Sequence, residues 1–160
     1  MTRSRPIVLT ATAAALALAA LAVAVFGSTV ATAAPDATSA RSATVKVAHR
    51  GLGNIIVDSR GRTLYMLSAD SAKRSHCFGA CAQAWPPLRA AGKPTVGKGL
   101  KASKVRTIRR SDGKSQVTYN GHPLYRFVQD TRVGQTKGEG IDAFGGLWTV
   151  LSSAGRSIAP

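Results

Sequence analysis

The chain has 160 residues, with 22 Lys and Arg against 7 Asp and Glu and a formal net charge of +15. If residues 1–33 are removed as a leader, about 127 remain, enough for one modest core and too few for a second ordinary domain. The only glutamate is Glu139, so paired-carboxylate chemistry would need Asp residues from separate turns. No G-x-S-x-G, H-E-x-x-H or phosphate-loop pattern occurs, so catalysis finds little support and a non-enzyme is expected.

The first 33 residues read as a secretory signal. Arg3 and Arg5 open it, Ile7 to Phe26 is an uncharged Ala/Leu/Val run, and Gly27, Ser28 and Thr29 break that run before the small-x-small site Ala31-Thr32-Ala33. An uncleaved anchor is the alternative, since twenty apolar residues just span a bilayer. No arginine pair marks a twin-arginine route, and no cysteine near the cleavage point could carry a lipid. A secreted or cell-wall-associated protein without a transmembrane segment after signal removal is expected. Residues 34–44, small and polar, read as a flexible tether.

From Val45 to Ser153 the pattern is that of a single β-rich domain. Asn54 to Asp58 and Arg62 to Leu67 flank a Ser-Arg-Gly turn and predict a hairpin. Ala80 to Trp85 predicts a short helical segment, around Cys81-Trp85, that Pro86 and Pro87 terminate. Lys104 to Arg109, Ser115 to Tyr119 and Pro123 to Val128 predict a meander, joined by the Asp112-Gly113 and Asn120-Gly121 turns. A last strand, Leu147 to Leu151, precedes a Ser/Gly tail at 154–160.

An internal repeat organises these elements. Gly61-Arg-Thr-Leu-Tyr65-Met-Leu67-Ser-Ala-Asp70 matches Gly121-His-Pro-Leu-Tyr125-Arg-Phe127-Val-Gln-Asp130, and the copies lead on to Trp85 and Trp148. Neither unit buries enough alone. Two β-hairpin and meander units, at about 50–90 and 110–152, are therefore predicted to share one core about a pseudo-two-fold axis. The fold class expected is mainly β.

This paired motif, with Cys77-Phe-Gly-Ala-Cys81-Ala-Gln-Ala-Trp85-Pro-Pro-Leu88 after the first copy, resembles the bacterial secreted-repeat family, described as predicted lipoproteins with a Y-x-(F/W/Y)-x-x-D motif. The resemblance covers roughly residues 50 to 152 and implies an envelope location and repeated strands, with no established reaction. Leu67 departs from it where an aromatic is expected. The lipobox cysteine is also missing, so a lipid anchor does not carry over.

Residues two apart in a strand share a face, which puts Tyr65 with Leu67 and Tyr125 with Phe127 while Met66 and Arg126 point away. Asp70 and Asp130 fall where the strands end and can accept N–H groups of the following loops. The motif residues, with Trp85 and Trp148, then serve packing and turn anchoring. A ligand groove lined by the Tyr hydroxyls and Asp carboxylates is the functional alternative.

Cys77 and Cys81 are the only cysteines, and export favours a disulfide between them, which on chain entropy contributes about 2 kcal/mol. The alternative is an extracytoplasmic copper or thiol-redox site built on Cys77, Cys81, His76 and Met66, with His122 also considered. No other cofactor is expected. His49, alone before a glycine turn, reads as exposed.

Without Arg3 and Arg5 the chain keeps 20 Lys and Arg against 7 acids, a net +13, and nine of those cations lie between Arg89 and Lys114, with Asp112 the only acid among them. Lys98, Lys101, Lys104, Arg106, Arg109 and Arg110 are read as a basic patch. It is either a solvated strand face or a surface attracting an anionic cell-envelope polymer, a membrane surface or another envelope protein. The aromatics do not interleave with this cluster, so nucleic acid is not expected. The expected function is a non-catalytic binding module.

Overall fold

The structure is a computed structural model that describes residues 44–90 and 92–158. The signal sequence and nearly all of the tether lie outside the described residues. Strands β1 (Thr44–Arg50) and β2 (Gly53–Asp58) form an antiparallel pair, β3 (Tyr65–Leu67) follows, and helix α1 (Ala80–Ala84) leads to β4 (Thr95–Val96). After a 3-10 turn at Ala102–Lys104 come β5 (Val105–Arg109), β6 (Ser115–Tyr119), β7 (His122–Pro123), β8 (Ile141–Ala143) and β9 (Gly146–Val150). They form three small sheets, ordered β2-β1-β4, β3-β9-β8 and β5-β6-β7. Among the described residues the fold is mainly β with one short α-helix.

The two repeats cross-pair. β3, which carries the first motif, pairs with β9 of the second repeat, Leu67 opposite Trp148. The second motif instead meets the segment after Trp85, with Tyr125 bridged to Pro87. Ser68 N–H donates to Leu147 O and Val128 N–H to Ala84 O, each bond joining the residue three after a motif tyrosine to the residue before the other repeat's tryptophan. Tyr65 and Tyr125 lie on the axis of this exchange. Their backbones bond reciprocally, N–H to O at 2.9 and 3.0 Å.

The predicted hairpin from Asn54 to Leu67 is only partly realised. β2 takes β1 as its partner, with Val45 opposite Asp58, and meets the following segment through a Val57–Thr63 bridge. The meander forms at its predicted turns, although beyond Pro123 the chain is held by bridges to Tyr65 and Pro87 rather than by a continuous strand. Residues 154–158, read as tail, turn back so that Ile158 N–H donates to Val150 O and its side chain packs on the core.

Two apolar clusters fill the interior. One gathers Val45, Ile56, Leu64, Met66, Leu88, Val117 and Leu124; Met66 thus points away from the face of Tyr65 and Leu67, as the alternation predicted, and is buried on that other side. The other holds the aromatics. Trp85 and Trp148 stack at 3.9 Å and 3°, Phe127 stacks on Trp85 at 4.1 Å, and each motif tyrosine meets its own repeat's tryptophan edge-on, at 5.3 and 5.1 Å. Each such pair contributes about 1 kcal/mol beyond the area it buries.

Candidate functional site

The repeated tyrosines and aspartates meet across the repeats. Tyr65 Oη donates to Asp130 Oδ2 at 2.5 Å, and Tyr125 Oη donates to Asp70 Oδ2. The remaining carboxylate oxygens bind the loops that follow: Asp70 Oδ1 accepts His76 N–H and Asp130 Oδ1 accepts Lys137 N–H. Each aspartate therefore anchors its own loop and the opposite repeat's strand. Burial, reinforced by the paired carboxylate, raises both tyrosine pKa values, and burial likewise raises that of Asp70. A hydroxyl so held is neither an acid nor a base near neutral pH.

The first latch continues into a polar chain. Tyr125 spends its proton on Asp70, so Ser75 Oγ, 2.7 Å from Tyr125 Oη, donates to it. Ser75 in turn accepts from Cys77 N–H and from Arg110 Nη1. Arg110 also donates to Gln116 Oε1 and to Cys77 O. Arg110, expected on a solvent-facing patch, is a correction. Its side chain is 1% exposed, because the chain turns after β5 and Arg109 takes the solvent side.

Cys77 and Cys81 form a disulfide at the start of α1, both sulfur-bearing residues buried. Met66 belongs to the other apolar cluster, so the structure does not gather it with the cysteines and exposed His76. His122 is half-buried, which lowers its pKa, with Asp70 pulling the other way. His49, exposed, meets Asn54 Oδ1 through Nδ1. Glu139 accepts Val150 N–H, and burial raises its pKa. That carboxylate holds β9.

The remaining basic residues divide. Lys104 Nζ donates to Ala154 O, whereas Lys98 and Lys101 are exposed in the loop after β4. Arg106 and Arg109 project from β5, an edge strand paired only with β6. Three hollows along this strand are lined by Lys73, Arg74, Lys93, Arg106, Arg109 and Arg110 among other residues, and by no acid. The nearby Asp112 is already held bidentately by Arg89, which brings its pKa down to about 2. Sequence reasoning missed Lys73 and Arg74, whose loop is distant in sequence from β5. It also missed the Arg126–Asp58 ion pair, 2.6 Å, which ties the second motif to the first repeat's turn.

These features define a two-repeat β domain closed by reciprocal tyrosine–aspartate latches, with a cationic edge strand. A family described as a secreted repeat of unknown function matches residues 46–89 and 106–152, more than half of the chain, and the chain belongs to that family. Searches of curated proteins and of solved structures found no match. The family description makes the chain an extracellular module, and no helix among the described residues is long and apolar enough to cross a membrane.

Proposed function

We propose that the domain is a non-catalytic module that binds an anionic polymer of the cell envelope along the β5 edge. The observation that carries this reading is that the three hollows along β5 are each lined by Lys or Arg and by no acid. Among the described residues, no ion pair engages Lys73, Arg74, Lys93, Arg106 or Arg109. Their field extends about 8 Å into physiological salt, which favours a long polyanion lying along the strand. The motif side chains serve the fold instead, since the tyrosines, both tryptophans and Asp130 are buried. Copper or thiol exchange has less support, because the two cysteines are buried and joined.

Co-sedimentation of the folded domain with isolated envelope tests the proposal. The bound fraction should fall steeply as salt is raised and should be largely lost in an Arg106→Glu/Arg109→Glu variant. Binding that ignores both salt and charge reversal overturns it.

A further inference from the structure

Burying a guanidinium among neutral acceptors leaves its charge incompletely answered. Arg110 is in that position: three neutral oxygens accept from its terminal nitrogens, while its buried Nε has no hydrogen-bond partner. The closest carboxylate oxygen, Asp112 Oδ2, is 3.9 Å away and already engaged by Arg89. Asp70 lies farther off, at the other end of the chain of Ser75 and Tyr125. Arg110 borders a hollow of about 480 Å³ whose other lining residues are Arg74, Ser75, Phe78, Arg109 and Ser111. Arg74 and Arg109 are exposed there, and no hydrogen bond or ion pair within the described residues uses their guanidinium groups.

We propose that this hollow is a binding site for one phosphodiester group of an anionic envelope polymer, a proposal that rests on the reading of the β5 edge given above. Arg74 and Arg109 supply the contacting charges from two separate segments, Ser111 supplies a hydroxyl, and buried Arg110 supplies a fixed positive field beneath them. Ser75 does not contribute a donor, because its proton is spent on Tyr125. Guanidinium groups arriving from separate segments suit a tetrahedral oxyanion, whose oxygens diverge, better than a planar carboxylate that a single fork satisfies. Phe78 adds specificity for a polymer over a free ion. Its ring is 39% exposed beside the site, with Arg110 4.7 Å from its centroid, so it offers apolar surface to the sugar or glycerol carbons flanking a diester.

Titration of the folded domain with a glycerol phosphodiester, followed by amide NMR, tests the site. Saturable shifts should centre on residues Ser75 and Ser111, and Arg74→Gln/Arg109→Gln should weaken binding about tenfold with unchanged thermal stability. Phe78→Ala should weaken the diester and leave inorganic phosphate unaffected. Absence of saturable binding, equal weakening by Lys98→Gln/Lys101→Gln, equal affinity for acetate, or tighter binding of inorganic phosphate than of the diester overturns the proposal. Salt-sensitive envelope binding without this site would leave the broader reading standing; a saturable diester site without envelope binding would remove that reading alone.

Discussion

The two latches share a motif and differ in surroundings. At Tyr65–Asp130 the carboxylate is buried, and the tyrosine oxygen also accepts the N–H of Gly138. At Tyr125–Asp70 the carboxylate is half-exposed, and the tyrosine oxygen meets Ser75, the head of a chain leading to Arg110 and the cationic hollow. One latch ends in backbone and closes the core; the other ends in side chains and reaches the surface. A duplicated motif can thus keep its structural duty in both copies while only one copy lies beside a candidate binding surface.

The largest effect expected from breaking this contrast is at Gly138. An added Cβ would lie 2.6 and 2.7 Å from Trp85 ring atoms and 3.0 Å from the Tyr65 ring, none of which can swing away. Gly138→Ala should cost about 3 kcal/mol in a urea titration. The tyrosines provide a more direct comparison. Tyr65→Phe strands a buried carboxylate and should cost about 2 kcal/mol, whereas Tyr125→Phe leaves Asp70 within reach of water and should cost about 1 kcal/mol. Equal losses would show that the latches are energetically alike.

The smallest effect over the ordinary pH range comes from the tyrosine protons. Both folded pKa values are raised, so the associated stability is intact below the unfolded tyrosine value of about 10 and is lost as pH rises beyond it. Tyrosinate absorbance from these two rings should therefore appear together with unfolding on alkaline titration. Ionisation of either one in the intact fold would contradict the buried pairing.

Sequence reasoning recovered what local chemistry dictates. The Asn120-Gly121 turn was legible because both residues take positive φ, 51° and 85°, in the manner their types favour. The β8–β9 turn uses the same geometry, with Phe144 at 57° and Gly145 at 83°, but a phenylalanine there carries no turn signal and β8 went unseen. The loop-anchoring duty of Asp70 and Asp130 followed from their place at strand ends. Their tyrosine partners did not, since the same spacing serves a bond within a repeat or across repeats, and only tertiary pairing decides. Burial of Arg110 was hidden for a related reason: strand alternation stops at Arg109, and the groups that receive the guanidinium come from segments remote in sequence.

The exchange of strands also sets an order of events. β3 meets Tyr125 through a single bridge but gains its ladder only with β9, because Leu67 waits for Trp148, and neither tryptophan can stack before the other exists. A nascent or translocating chain therefore carries the first repeat unfinished until the last strand of the second repeat emerges. Cleavage between the copies would leave two fragments that must find each other again, as subunits of a dimer would.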